Sequence, residues 1–169
     1  LQSPKDERHW KPYVLPGKRA TAYRFLEKDG KRVIEAQANA SASMLRRVVN
    51  LQPEQLGEVS WSWWVDNALA DADLADIDRT DAPAQLLFAF DGDKSTLSPR
   101  VRMMNDLARA LTGEEPPYAT LTYAFATHTP VESVLRNPRS ERIRKIIVDS
   151  GSGHARQWRR HRRNLAEDF

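Results

Sequence analysis

The sequence contains no cysteine, which excludes a disulfide framework and a zinc site built on thiolates. It also lacks any apolar run close to the roughly 20 residues that a membrane-spanning helix requires. The chain has no phosphate-binding loop ending in Gly-Lys-Ser or Gly-Lys-Thr, no Gly-x-Ser-x-Gly elbow and no His-Glu-x-x-His segment. The sequence therefore carries none of these signatures of nucleotide binding, serine hydrolysis or zinc proteolysis.

The chain has the length and composition of one globular domain. Its 169 residues are enough to bury a self-sufficient core, and 40% of them are hydrophobic against 29% charged. We therefore expect a single domain over residues 1–169. Because the chain begins at Leu1 rather than at a methionine, we also expect a processed product or a fragment.

Charge is unevenly distributed along the chain, although the net charge is only +3. Residues 66–93 hold eight aspartates and one arginine, a balance of −7, whereas residues 136–163 hold ten basic and two acidic residues, a balance of +8. Such segments can neutralise each other across a fold or serve an outside partner. We favour internal compensation together with ordinary solvated faces.

Three tryptophans in four residues mark a strand expected over residues 59–66. Apolar side chains recur along it with period two, so Trp61 and Trp63 share one face and Trp64 lies on the other. Because large aromatic rings dominate core energetics, we predict that Trp61 and Trp63 anchor the core. Trp64 would then be covered by another layer or would form a platform for a ligand.

Six further stretches have the pattern of β-strands, namely residues 20–26, 32–38, 44–51, 84–90, 118–125 and 142–149. Asp29 and Gly30 join the first two, and this dipeptide is typical of a tight hairpin turn. Short strands at this spacing, with two helices late in the chain, predict an antiparallel β-sandwich of jelly-roll type. A mixed α+β sheet is the alternative fold.

Two late segments are predicted to be helical. Residues 98–113 have Ser98 as a cap, Pro99 in the first helical position and Gly113 at the end. The apolar stripe of this helix consists of Val101, Met104, Leu107, Ala108 and Leu111, and the two methionines of the helix are expected to fill the core. The second helix, over residues 155–169, follows a glycine-rich turn and carries arginines around an apolar side. That apolar side consists of Trp158, Leu165 and Phe169.

Carboxylates near Trp64 and at strand ends give a first set of candidate ligand-binding residues. The set consists of Trp64, Asp66, Asp81, Asp91 and Asp93. An aromatic face beside carboxylates suits a sugar or a cation, so a glycan is one candidate ligand. Asp81, Asp91 and Asp93 flank one strand, and carboxylates supply the oxygen ligands that calcium prefers. The same three aspartates are the candidates if the protein is a hydrolase.

The predicted second helix gives a candidate anion-binding surface. Its members are Arg156, Arg159, Arg160 and Arg163. Arginines on a helix can neutralise phosphates, which would suit an anionic polymer. Nucleic acid is disfavoured, because the aromatic residues of this helix lie on its apolar side and leave no stacking platform. The histidines at positions 9, 128, 154 and 161 are scattered and are expected at the surface.

Several longer stretches resemble one known family. They are Asn-Ala-Ser-Ala-Ser at 39–43, Trp-Ser-Trp-Trp-Val-Asp at 61–66, Asp-Ala-Pro-Ala at 81–84, Phe-Asp-Gly-Asp at 90–93, Leu-Thr-Gly-Glu-Glu-Pro-Pro-Tyr-Ala-Thr-Leu at 111–121, Asn-Pro-Arg at 137–139 and the segment 158–169. Together they resemble the bacterial domain-of-unknown-function family 3047, along nearly the whole chain from Trp10.

This resemblance implies a protein of the cell envelope, periplasmic or secreted, because members of the family carry an N-terminal export signal. It implies no catalytic residues, because the family has no established activity. Members continue past the position of Phe169 into a Thr-Asp-Thr-Asp-Asn-Thr segment and a closing strand. The resemblance therefore also implies a chain truncated at its C-terminus.

These observations favour a non-catalytic ligand-binding β-sandwich module of the bacterial envelope, with a glycan or another small ligand as its partner. One alternative is a hydrolase that uses acidic residues at strand ends. Another is a structural protein that binds anionic polymer through the basic helix. No cofactor is expected, apart from calcium at the acidic residues.

Overall fold

The computed structural model describes residues 7–76, 78–137 and 140–169. This part of the chain contains ten strands and two α-helices. The strands are β1 (Lys11–Val14), β2 (Ala22–Lys28), β3 (Lys31–Gln37), β4 (Ser43–Arg46), β5 (Glu58–Trp64), β6 (Gln85–Phe90), β7 (Ala119–Ala126), β8 (Val134–Asn137), β9 (Ser140–Ser150) and β10 (Trp158–Asn164). The helices are α1 (Pro99–Thr112) and α2 (Leu165–Asp168). The mainly β class predicted from the sequence is confirmed.

Two layers of sheet face each other across the core. The larger layer is a four-stranded sheet in the order β6–β7–β9–β8, and the smaller layer is the antiparallel pair β5–β10. β7 and β9 are parallel, because the chain leaves β7, forms β8 at the sheet edge and returns as β9 between them. The arrangement is consistent with the predicted β-sandwich, but the larger sheet is mixed rather than wholly antiparallel. β8 has no counterpart among the predicted strands.

The main core cluster joins the two layers. Its buried members are Val59, Leu121, Tyr123, Ile146, Val148 and Leu165. Trp61 stacks on Tyr123 with ring centroids 4.9 Å apart, and Trp63 packs against the same cluster. Trp64 points to the outer face of β5, where its ring meets that of Trp158 edge-on. The prediction for the three tryptophans is confirmed.

The acidic segment between β5 and β6 covers the other face of the larger sheet. Leu74 of this segment is buried against Ala124, Ala126 and Ile147, and Ala72 is buried as well. Asp71, Asp78 and Asp81 of the same segment are exposed. The segment is therefore more than an exposed acidic loop, because the apolar residues between its aspartates cover part of the sheet.

β2 and β3 form the predicted hairpin, and its tip docks on the smaller layer. Asp29 and Gly30 make the turn with φ values of 51° and 69°, a conformation that Asp tolerates and Gly favours. The Trp158 indole Nε1 donates a hydrogen bond of 2.7 Å to Asp29 Oδ2. The hairpin thus contacts the outer face of the smaller layer, the face that also carries Trp64.

The prediction of a helix over residues 155–169 is wrong. Residues 158–164 form β10, which pairs antiparallel with β5, and only the short α2 follows it. Trp158 and Leu165 would share one side of a helix, but in the strand Trp158 lies on the outer face and Leu165 follows the strand into the core. Polar residues occupy both faces of β10, so its sequence lacks apolar alternation. Pairing with β5 outweighs the weak local preference of these residues for a helix.

α1 has the predicted ends but not the predicted burial. Ser98 Oγ accepts a hydrogen bond from the Val101 amide, and Gly113 ends the helix with φ 76°. The stripe that includes Met104 and Leu107 is exposed, so the expectation that its methionines fill the core is wrong. Capping is local and can be predicted from sequence, whereas burial depends on what packs against the helix.

In the described ranges, no helix combines the length and apolar character needed to cross a membrane.

β4 is shorter than the strand predicted over residues 44–51. It ends at Arg46 and pairs with β1, which the sequence does not predict as a strand. Val48, Val49 and Leu51, which extend the predicted strand, are exposed. The apolar run is therefore real, but it has no partner strand among the described residues.

Candidate functional site

The side chain of Asp149 is completely buried, at 0% exposure, near the end of β9. A β-bulge directs it inward. Ala124 of β7 pairs with Ile147, but the next residue, Phe125, pairs with Asp149, so Val148 is an extra residue in β9. Side chains alternate between faces along a regular strand, and a bulge re-aims the side chain beside it. Val148 and Asp149 therefore both contact the layer formed by β5 and β10.

Side chains from β10, from β5 and from the turn between β9 and β10 surround this carboxylate; we call the group the Asp149 cluster. Trp63 Nε1 donates to Oδ2 at 2.9 Å, and Arg159 Nε donates to Oδ1 at 3.0 Å. His161 Nε2 lies 2.7 Å from Oδ2. His154 Nδ1 lies 3.2 Å from Oδ1 but lacks the alignment of a hydrogen bond. Because a buried charge is stable only when it is paired and hydrogen-bonded, the cluster ties the two layers together.

His161 is enclosed by aromatic rings as well as by the carboxylate. Its ring centroid lies 5.1 Å from that of Trp61 and 4.9 Å from that of Trp63. Burial lowers the pKa of His161, and this effect outweighs the neighbouring Asp149, which raises it. The ring is therefore neutral near pH 7. Nε2 is assigned as the donor, because a carboxylate only accepts hydrogen bonds.

A histidine beside a carboxylate can act as a general base when a nucleophile lies within hydrogen-bonding reach. Among the described residues, no serine or threonine hydroxyl hydrogen-bonds to His161. The partners of His161 are instead Asp149 and the rings of two tryptophans. The geometry thus assigns the Asp149 cluster a structural role.

A second network holds α2 against the larger sheet. Arg163 donates to both oxygens of Asp168 at 2.8 Å and to both oxygens of Glu132 at 2.9 and 3.0 Å. The Tyr123 hydroxyl donates to Asp168 at 2.7 Å, and burial raises the pKa of Tyr123. Burial alone would raise the pKa of Asp168, but the hydrogen bonds from Arg163 and Tyr123 outweigh it and lower that pKa. Arg163 is thus fully engaged with carboxylates.

Arginines line a groove along β9 and β8, on the face of the larger sheet that also carries the core. Its two adjoining depressions have volumes of about 240 and 510 Å³, and Arg144 lines both. Arg142 lines the smaller depression and Arg136 the larger one. We call the surface around Arg136, Arg142 and Arg144 the arginine groove.

Arg142 is held in place by an aromatic ring. Its guanidinium carbon lies 4.1 Å from the ring centroid of Tyr118. Tyr118 packs so closely on Gly92 that a Cβ at that glycine would lie 2.7 Å from the ring, which is why the turn after β6 has no side chain there. A hydrogen bond with Thr96, and then one with Arg142, lower the pKa of Tyr118. Stacking of this kind orients a guanidinium and leaves its edge free to bind an anion.

Two arginines of the groove are directly opposite each other on neighbouring strands. Arg136 of β8 is the register partner of Arg144 of β9. Arg142 follows on the same face, two residues along the strand and about 7 Å away. Like charges directly opposite each other destabilise a strand pair. None of the Asp and Glu side chains whose positions are described pairs with these three arginines, and Arg144 donates to the main-chain oxygen of Phe169 at 2.8 Å.

The carboxylates that line the larger depression are engaged elsewhere. Glu132 and Asp168 bind Arg163. Glu167 accepts a hydrogen bond of 2.7 Å from the Asn164 side chain. The larger depression is thus lined by three arginines and three carboxylates, whereas the smaller one is lined by Arg142 and Arg144 without an acidic side chain.

Trp64 and Asp66, which the sequence groups in one ligand site, do lie together. The Trp64 indole donates to Asp66 Oδ1 at 2.9 Å. The ring does not form an open platform, because Lys28 of the hairpin lies 4.4 Å from its centroid and Trp158 packs against it. Lys31 lies over the Trp158 ring in the same way, at 4.9 Å.

Asp81 lies far from the other two aspartates of the predicted acidic site. It precedes β6 while Asp91 and Asp93 follow it, and a six-residue strand spans about 20 Å. Asp93 caps the turn after β6 through the Ser95 amide, and Asp91 accepts from the Gly92 amide. In the described ranges no group of three or more His, Asp or Glu side chains is placed to hold a metal ion. Calcium binding stays a prediction, without a shared site for these three residues.

The predicted anion-binding arginines are divided between the two faces of β10 and the turn before it. Arg159 and Arg163 point inward to the carboxylates already described. Arg156 binds the Asp66 carbonyl oxygen and the Asn67 side chain. Arg160 lies exposed on the outer face. These four residues therefore do not form one basic surface.

Sequence reasoning missed both the Asp149 cluster and the arginine groove. The spacing of Arg142 and Arg144, two apart in a predicted strand, is a visible signal for a basic sheet face. Arg136 could not be added, because its place depends on a strand that was not predicted. The burial of Asp149 depends on a bulge, for which the sequence gives no signal that we recognise.

We predict a pH dependence that originates in His161. Its folded-state pKa lies below the ordinary value of 6.5, so the stabilisation from its neutral form is complete above that pH. As the pH falls below about 6.5, the unfolded chain takes up the proton first and the free energy of unfolding decreases. An NMR titration of the His161 ring, assigned with the His161→Gln variant, should show a midpoint below 6.5. A midpoint at or above 6.5 would contradict the burial argument.

Comparisons with known proteins identify a family for the chain. Residues 8–169 match the family described as protein of unknown function (DUF3047). No curated protein and no solved structure matches the chain significantly. The match spans nearly the whole sequence, including every strand and helix described above. The chain therefore belongs to the DUF3047 family of proteins of unknown function.

Proposed function

We propose that the protein is a non-catalytic ligand-binding β-sandwich module and that an anionic glycan binds in the arginine groove. One observation carries the proposal: Arg136 and Arg144 oppose each other directly in the sheet, beside Arg142, without a carboxylate partner among the described side chains. Such a pair destabilises the sheet in the free protein. An anionic ligand would remove that repulsion on binding.

The chemistry of arginine favours carboxylate, sulfate or phosphate groups on the ligand. A guanidinium presents a planar set of donors that matches such groups in pairs. Arg142 is oriented by Tyr118 before any ligand arrives, so little side-chain entropy is lost on binding. The two adjoining depressions suit a ligand that carries more than one negative group.

The other residues of the groove support a sugar as the carrier of these groups. Tyr118, Thr120 and Phe169 line the smaller depression beside the arginines. Phe169 rests against Phe90, with ring centroids 4.4 Å apart, and keeps part of its ring exposed. Aromatic and hydroxyl groups beside charged ones are the mixture that small-molecule sites use to orient polar ligands.

The proposal moves the ligand site away from the residues that the sequence suggested. Lys28 covers Trp64, and the basic element expected as a helix is a strand with its inward arginines already paired. The anionic-polymer alternative survives in changed form, with the arginine groove in place of a basic helix. Nothing in the geometry of Asp81, Asp91 and Asp93 favours a hydrolase.

The location that we propose is the bacterial envelope, periplasmic or secreted. Its support is the resemblance to a family whose members carry an export signal. Fractionation of the bacterium that makes the full-length protein should recover it outside the cytoplasm. Recovery in the cytoplasmic fraction would contradict this location.

We predict that the protein binds a short oligomer of galacturonate and does not bind an uncharged oligosaccharide of the same length. Arg136→Gln/Arg144→Gln should weaken binding by about tenfold or more for each arginine, because each charged hydrogen-bonded contact contributes about 1.5 to 3 kcal/mol. Isothermal titration calorimetry at two salt concentrations measures the affinity and its decrease with salt.

The matched control is Arg160→Gln/Arg162→Gln, which removes two exposed arginines from the outer face of β10. This variant should bind the acidic oligomer as the unmodified protein does. Loss of binding in the control with retention in the groove variant would place the site on β10 instead. Equal binding of the charged and uncharged oligomers would contradict an anionic ligand.

A further inference from the structure

α1 exposes an apolar ridge along most of its length. Met103, Met104, Leu107 and Leu111 are 63%, 54%, 53% and 74% exposed. Positions 103, 107 and 111 are four residues apart and 104 neighbours them, so the four side chains form one stripe on the helix surface. Isolated exposed apolar residues are common, but a continuous stripe of this kind marks an interaction surface.

The ridge does not face the body of the protein. Val101, Asn105 and Ala108 are the half-buried residues of α1, and they mark the side by which the helix is attached. On a helical wheel that side lies about 100° or more from the middle of the ridge. The helix is nonetheless well formed over 14 residues, with Ser98 as its cap. A regular helix is thus held in place with its apolar stripe directed outward.

The charged residues of α1 are mostly basic. α1 carries Arg100, Arg102 and Arg109 against Asp106 alone, and Arg102 and Arg109 lie on the side of the helix opposite the ridge. No ion pair of these arginines occurs in the part of the chain that the structure describes. Arg100 lies at the same angle on the helix as the ridge, one turn before it. The complement of such a surface is apolar and negatively charged.

A second exposed apolar segment lies close to the end of α1. Arg46 at the end of β4 binds both oxygens of Glu114, just past the helix, at 2.7 and 2.6 Å. Val48 and Val49 follow Arg46 and are also exposed, the former by 84%. The salt bridge therefore holds this aliphatic segment near the C-terminal end of the ridge.

We propose that α1 is an interfacial helix that inserts its apolar ridge into a membrane surface containing anionic lipids. A helix with one apolar face and a basic opposite face lies in the plane of such an interface. A second copy of the chain would present the same positive charge and would be repelled. The ridge has no tryptophan or tyrosine, the residues that usually anchor protein–protein contacts, so lipid suits it better than a protein pocket.

The test uses the purified chain and sedimentation with vesicles. One set consists of phosphatidylcholine alone and the other of phosphatidylcholine and phosphatidylglycerol in equal amounts. The protein should sediment with the anionic vesicles and dissociate as salt rises. Leu107→Gln/Leu111→Gln should weaken binding by about tenfold or more, because apolar area no longer enters the lipid. Both side chains are exposed, so this variant should unfold at the same denaturant concentration as the unmodified protein.

Two further variants test whether vesicle binding depends on α1 in particular. Leu69→Gln/Leu87→Gln removes two exposed leucines outside α1 and should bind the vesicles like the unmodified protein. Arg136→Gln/Arg144→Gln, in the arginine groove, should weaken vesicle binding less than Leu107→Gln/Leu111→Gln does. The proposal is overturned if the unmodified protein ignores anionic vesicles, if it binds neutral ones equally well, or if the α1 variant binds unchanged. Loss of vesicle binding only in the groove variant would also overturn it.

Discussion

The carboxylate of Asp149 is the constraint on which the arrangement of the two layers depends. It is buried between them without access to water, and such a charge would be strongly destabilising if its partners were absent. Those partners come mainly from the smaller layer: an indole from β5, and a guanidinium and an imidazole from β10. Each donor reaches the carboxylate only when β5 and β10 are paired in their observed register and lie across from β9. Two of the three polar side chains on the inner face of β10, Arg159 and His161, are therefore matched to one buried acid.

Pairing with a carboxylate distinguishes the arginines that stabilise the fold from those available to a ligand. Arg159 and Arg163 are bound by buried or half-buried carboxylates and hold the layers and α2 in place. Arg136, Arg142 and Arg144 lie on the continuation of the same sheet face, and none of them forms an ion pair with a described carboxylate side chain. The fold thus pairs the arginines between its layers with carboxylates and leaves these three without an ion pair. The proposed function rests on that contrast rather than on the overall basic character of the chain.

Features encoded by short-range signals could be predicted from the sequence. The Asp29–Gly30 turn, the two-sided tryptophan strand and the ends of α1 all depend on residues within a few positions of one another. β10 could not be predicted, because its inner face is polar and meets carboxylates instead of an apolar core. The burial of Asp149 depends on a bulge between β7 and β9, and the arginine groove on the register of β8 against β9. The first is a long-range pairing, and the second involves β8, which the sequence does not predict as a strand.

The claim that the Asp149 carboxylate holds the two layers together is tested most directly by the free energy of unfolding of Asp149→Asn. It is compared with that of Asp66→Asn in the same denaturant titration. The two aspartates each accept a hydrogen bond of 2.9 Å from a tryptophan indole, but Asp149 is buried and Asp66 is exposed. If the buried carboxylate holds the layers together, Asp149→Asn should lose about 3 kcal/mol or more, because it leaves the donors around it without a charge. Asp66→Asn should lose less than about 1 kcal/mol. Equal and small losses in both variants would contradict the central role of Asp149.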